Sequence, residues 1–228
     1  MLPGWLSLLG GLEPAPLSVS AGASWMPGQT PPFWSDERDR LQGEASLLWA
    51  PGERARIGLA VDGYRLDRYP DGSTQRGPGD ITMSTDLWLW RGPVDLGVAS
   101  SVKQPNADDE RQLGTDEADI SLMGRLGAGE SARLEAAGGV TFAGDPHRFT
   151  SSDAIPEFAL SGALATGWGA AQLLVGGGLP TDHNPARLSA SLSVATACPA
   201  RLSATALVGL SEAAPDWGVR LMMGYCGG

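Results

Sequence analysis

The sequence predicts an all-β protein, a transmembrane antiparallel up-and-down β-barrel of twelve strands with both termini periplasmic. Three observations predict it. Apolar and polar residues alternate along segments as long as a tilted membrane strand needs, about 9–11 residues. Short and long connections between those segments alternate strictly. Glycine is abundant, at 32 of 228 residues, and much of it lies inside apolar stretches, where a narrow barrel wants small inward residues.

The clearest strand is Val94–Lys103, with Val94, Leu96, Val98 and Val102 on one face and Asp95, Gly97, Ala99, Ser101 and Lys103 on the other. Asp119–Leu126 sets Ile120, Leu122 and Leu126 against Asp119, Ser121 and Arg125, and Ser131–Phe142 sets Leu134, Val140 and Phe142 against Arg133, Glu135 and Thr141. In Arg187–Cys198, Leu188, Leu192 and Val194 oppose Ser189, Ser191 and Ser193. Period-two alternation of this kind marks a strand with one apolar face. The remaining segments are Leu17–Met26, Glu44–Ala50, Arg54–Leu66, Asp80–Trp90, Glu157–Trp168, Ala171–Leu179, Arg201–Leu210 and Trp217–Cys226. Within Asp80–Trp90 the alternation changes face near Asp86, which predicts a bulge or a misplaced register.

Tight connections, such as Ala50–Glu53, Arg91–Pro93 and Cys198–Ala200, take turns with the polar stretches Pro27–Gly43, Asp67–Gly79, Gln104–Glu117, Gly144–Pro156 and Pro180–Ala186. Outer-membrane barrels pair short periplasmic turns with longer extracellular loops in this way. The first connection is long, and an even strand count returns the chain to its starting side. Residues 17–228 then form the barrel, and the apolar extension 1–16 could plug it, lie along the membrane or be disordered. The start of the chain lacks the basic region of a signal peptide and reads as a mature N-terminus, with the targeting signal absent.

Aromatic residues mark both strand ends: Trp25, Phe142, Phe158 and Trp217 at the extracellular side, Trp49, Trp90, Trp168 and Tyr225 at the periplasmic side. Two interfacial belts are the expected reading. The inward positions include Arg56, Asp62, Tyr64, Asp95, Lys103, Asp119, Arg125, Arg133, Glu135 and Arg220. They either line a polar pore or pair with one another and block it.

With the strands placed, Gly77-Pro-Gly-Asp80-Ile opens one strand, Val102-Lys-Gln-Pro105 closes the next, and Leu113-Gly-Thr and Asp119 follow. This order resembles the outer-membrane transporter family of the MetA pathway of phenol degradation, over about a fifth of the chain. Asn106-Ala107 stands where members often carry Thr-Gly. The resemblance implies a barrel and passage of small organic molecules.

Other readings are weaker. A net charge of −10 argues against nucleic acid as a partner. No cofactor or metal is expected: Cys198 and Cys226 fit no zinc spacing and allow one disulfide, across the last hairpin at the periplasmic rim. Regular next-but-one strands lie too far apart for that bond, but a turn residue and a Cys-Gly-Gly tail can bend together. The acidic group Asp108, Asp109, Glu110, Asp116 and Glu117 matches no calcium loop and reads as solvated. His147 and His183 fall in loops without a catalytic arrangement, so an enzyme is not expected. The expected function is a passive channel or narrow transporter in a bacterial outer membrane, in contact with its lipid and lipopolysaccharide and taking small organic solutes. A non-conducting structural or adhesive barrel and a lipid-acting enzyme at the rim are the alternatives.

Overall fold

The alternating segments are all strands in a computed structural model that describes residues 16–29, 38–106, 118–144, 154–181, 185–211 and 214–227. In chain order they are β1 (Leu17–Gln29), β2 (Arg38–Gly52), β3 (Ala55–Arg68), β4 (Thr74–Pro78), β5 (Ile81–Trp90), β6 (Val94–Gln104) and β7 (Ala118–Ala128). There follow β8 (Ala132–Gly144), β9 (Ala154–Thr166), β10 (Gly169–Gly178), β11 (Arg187–Thr196), β12 (Ala200–Gly209) and β13 (Trp217–Gly227). β4 and β5 both pair with β3, one beyond the other, so the thirteen segments make twelve staves.

Each stave pairs antiparallel with its neighbours in chain order, and β1 closes the wall against β13 from Leu17 opposite Gly227 to Trp25 opposite Val219. Closure leaves no open edge, which in hydrocarbon would cost several kcal/mol for each unpaired backbone group, by a rough estimate. The chain therefore enters and leaves the wall at one end.

Burial alternates along the strands, with the apolar side outward. On β6, Leu96 and Val98 are exposed while Asp95, Gly97, Ala99 and Ser101 are buried. On β7, Ile120, Leu122 and Leu126 are exposed while Ser121, Met123 and Arg125 are buried. Exposed leucines and valines recur around the circumference. In water such a surface would be a large adhesive patch; in a bilayer it is the solvated one.

Three features differ from the sequence expectation. The stretches Pro27–Gly43 and Asp67–Gly79 are not wholly loop: β2 begins at Arg38, and β4 continues the wall beyond the β3–β5 pairing. Their polar residues misled hydropathy because this end of the inner wall is charged. The face change expected near Asp86 falls at Leu89, where the β5–β6 register shifts between Trp88 and Trp90. A second shift pairs Gly43 with Tyr64 but Glu44 with Asp62, leaving Gly63 as the extra residue of β3. That bulge reverses the parity of β3, so Tyr64 points outward and is 53% exposed rather than lining the lumen.

Candidate functional site

The inner wall is polar and carries two networks of paired charge, one toward each end. At the end away from the termini, Asp67 is fully buried and accepts from Arg40 twice, Nε to Oδ1 at 2.7 Å and Nη2 to Oδ2 at 2.7 Å. Arg38 adds a third contact to Asp67 at 3.1 Å and donates to the Tyr69 hydroxyl at 3.0 Å. Arg65 reaches Gln42 at 3.2 Å, Asp62 at 2.5 Å and Asp80 at 3.2 Å. Planar guanidinium forks suit such carboxylates, and a desolvated carboxylate requires them.

The break between β4 and β5 serves this network. The Gly79 amide donates to the Asp62 carbonyl at 2.9 Å, and the Asp62 amide donates to the Asp80 carbonyl at 2.8 Å. A Cβ on Gly79 would lie 2.4 Å from the Asp62 Cβ and 2.5 Å from the Asp62 carbonyl oxygen, so only glycine fits. The Asp80 carboxylate, besides holding Arg65, accepts from the Asn106 amide at 3.2 Å. Beside it Lys103 pairs with Asp119 at 2.6 Å. The Gly-Pro-Gly-Asp opening, the Lys-Gln-Pro exit and Asp119 thus meet at one place on the wall.

At the terminus-bearing end, five adjacent staves contribute Arg56, Asp86, Trp88, Asp95, Arg125, Arg133 and Glu135. Arg125 is bonded to Asp86 and, at 2.7 Å, to Glu135. Arg133 is bonded to Glu135 at 2.7 Å and to Asp95 at 2.8 Å. The second Asp95 oxygen accepts from the Gly92 amide in the β5–β6 turn at 3.1 Å. The buried Trp88 ring lies under this chain of charges, with the Arg125 and Arg133 guanidinium carbons 4.9 and 5.3 Å from its centroid. Gly97 gives the ring its room: a Cβ there would stand 2.7 Å from Trp88 Cε3.

Elsewhere hydroxyls pair across the inner wall: Ser20 with Ser46 at 2.7 Å, Ser121 with Thr141 at 2.7 Å and Ser193 with Thr205 at 2.9 Å. Of the inward residues expected from sequence, Arg56, Asp62, Asp95, Lys103, Asp119, Arg125, Arg133, Glu135 and Arg220 face the interior, Arg220 bonded to Glu44. Sequence reasoning missed Arg38, Arg40, Gln42, Glu44, Arg65, Asp67, Asp80, Asp86 and Trp88. For Asp86, the alternation Thr82, Ser84, Asp86 carried the signal; for Arg65 and Asp67, only the bulge at Gly63 explains the parity.

The aromatic residues assigned to belts stand on the outward side. Trp25 and Trp217 pack edge to face at 4.9 Å, on the side remote from the termini. Phe142 is 43% exposed on that side, and Phe158 is half-buried between Gly138 and Gly177 of the neighbouring strands. Trp49, Trp90 and Tyr225 near the terminus-bearing ends of their strands, and Trp168 in the β9–β10 turn, are exposed. The disulfide Cys198–Cys226 is formed, with Cα atoms 5.6 Å apart. Pro199 extends the β12–β13 ladder by accepting from the Cys226 amide at 2.9 Å, which brings the turn over the last strand. The extension 1–15, the acidic group Asp108, Asp109, Glu110, Asp116 and Glu117, and both histidines lie outside the described residues. Among the described residues no metal-binding group forms.

A closed twelve-stave wall, apolar outside and polar inside, defines the class: this is the fold of outer-membrane β-barrels. No protein-family model and no curated protein matches the chain. Among solved structures, an outer membrane channel from Pseudomonas putida F1 is similar, with a TM-score of 0.66 at 14% identity over 94% of this chain and 96% of that one. The KdgM porin gives a TM-score of 0.55 at 8% identity, covering 91% of this chain and 98% of its own. The translocator domain of the autotransporter NalP from Neisseria meningitidis gives 0.52 at 15% identity, covering 94% and 90%. At these identities the likeness is one of fold.

Proposed function

We propose that the protein is a passive channel for small molecules across a bacterial outer membrane. The observation that carries this reading is the opposition of the two faces of one closed wall. Leucines and valines face outward along strands of ten residues or more, and ion pairs and paired hydroxyls face inward. A wall of this kind sits in lipid, with its outward aromatic residues at the headgroups and lipopolysaccharide, and separates a polar interior from hydrocarbon. Fold likeness to an outer membrane channel and a porin supports the same reading. The segment from Gly77 to Asp119 supports a finer one, a transporter of small organic molecules akin to the phenol-degradation family.

The protein reconstituted in a planar bilayer is expected to give discrete conductance steps. A silent bilayer with correctly folded protein would favour the second reading, a non-conducting structural barrel. One observation favours that alternative: Arg125, Asp86, Glu135, Arg133 and Asp95 bond to one another rather than standing free toward a solute.

A further inference from the structure

In the charge network at the terminus-bearing end, one inward arginine makes no bond among the described residues. Its carboxylates are Asp86, Asp95 and Glu135, and the bonds they make go to Arg125 and Arg133, with Arg91 3.9 Å from Asp95 at the turn. Arg56 is left over. It is 7% exposed, lies opposite Asp86 in the β3–β5 register, and forms no ion pair or hydrogen bond among the described residues. Its Nε is buried without a partner. Arg201, on the inward side of β12 one residue beyond the β11–β12 turn, likewise has no ion pair or hydrogen bond among the described residues. Glycine stands beside it, since Gly224 is its register partner on β13, and Ser20 lies beyond on β1.

Two inward guanidinium groups with no bonded carboxylate among the described residues, four staves apart at the same end, are unusual in a chain whose net charge is −10. A guanidinium withdrawn from water is costly unless an anion meets it. We infer, resting on the channel reading, that Arg56 and Arg201 make this end of the interior a site for small organic anions, with carboxylates as the preferred class. The planar fork of each arginine matches a carboxylate in two parallel hydrogen bonds. Positive charge left unbonded on an inner wall also raises the local concentration of the opposite ion and favours its passage. In the network away from the termini each of these guanidinium groups is bonded to a carboxylate, Arg38 and Arg40 to Asp67 and Arg65 to Asp62 and Asp80.

The test is the reversal potential of the reconstituted full chain across a potassium chloride gradient, with potassium succinate and potassium phosphate as further arms. Preference for chloride over potassium is expected, brought toward parity by Arg56→Gln and by Arg201→Gln and retained by Arg56→Lys. Cation preference, or anion preference that both glutamine variants leave unchanged, overturns the inference while the channel stands. A preference for phosphate over succinate overturns the carboxylate assignment. If folded protein passes no current, the channel reading fails, and the site is read separately by thermal unfolding in detergent. A rise in midpoint with succinate that the Arg56→Gln/Arg201→Gln double variant loses supports the anion site. No rise overturns it.

Discussion

At the scale of single residues, the inner wall shows why an arginine and a carboxylate inside a barrel are a unit. Arg125 joins Asp86 to Glu135, and Glu135 joins Arg125 to Arg133, so Arg125, Glu135 and Arg133 each meet two partners. Trp88 adds an aromatic face beneath the two arginines, and Gly97 is the vacancy that lets it lie there. The cysteines act on the outside of this arrangement, at the rim. Cys198 and Cys226 enclose the β12–β13 hairpin, with a sequence separation of 28. A cross-link of that span removes loop entropy from the unfolded chain worth about 3–4 kcal/mol, on the chain-entropy account. Urea unfolding in detergent is expected to shift to a lower midpoint on reduction, and the Cys198→Ser/Cys226→Ser variant should match the reduced protein. Coincident curves for oxidised and reduced protein would show that the bond adds nothing to stability.

At the scale of strands, orientation decides the outcome of a substitution. Leu122 is 53% exposed on the outer face of β7, and its neighbour Ser121 is buried and bonded to Thr141. Leu122→Arg is expected to lose about 2–4 kcal/mol of folding free energy if it sits near the bilayer midplane, because it puts a guanidinium into hydrocarbon. Ser121→Ala removes one hydroxyl pair and should cost about 0.5–1.5 kcal/mol. Refolding into lipid vesicles across a denaturant series measures both, and equal losses would reverse the assignment of faces. The strands that alternate without interruption, β6, β7 and β8, could be read residue by residue in the sequence. β3 could not, because one extra glycine at position 63 flips every side chain after it, and no hydropathy pattern marks an inserted residue. The polar start of β2 was hidden for a different reason. Arg38 and Arg40 are satisfied by Asp67 and Gln42 by Arg65 inside the wall, so a strand segment there has the composition of a loop.

At the scale of the whole molecule, closure, stave number and the common end of the termini were legible because they follow from counting segments and connection lengths. The charge networks were only half legible. Alternation says which face a side chain takes, but not which residues two staves apart come within bonding distance. The connections leave a last asymmetry. At the terminus-bearing end, β2 and β3 are separated only by residues 53–54, β9 and β10 by 167–168, and β11 and β12 by 197–199. At the other end, 105–117, 145–153 and 179–186 intervene between strands. A protease must draw several residues of its target into an extended thread, and a two-residue reversal pinned between paired strands cannot supply one. Connections long enough to supply such a thread therefore join the strands at one end only. Vesicles holding it in a single orientation should be nicked by external trypsin or an acid-specific protease when the long connections face out, and should stay intact between Leu17 and Gly227 when they face in. Cleavage of the wall from both sides would mean that the short turns open.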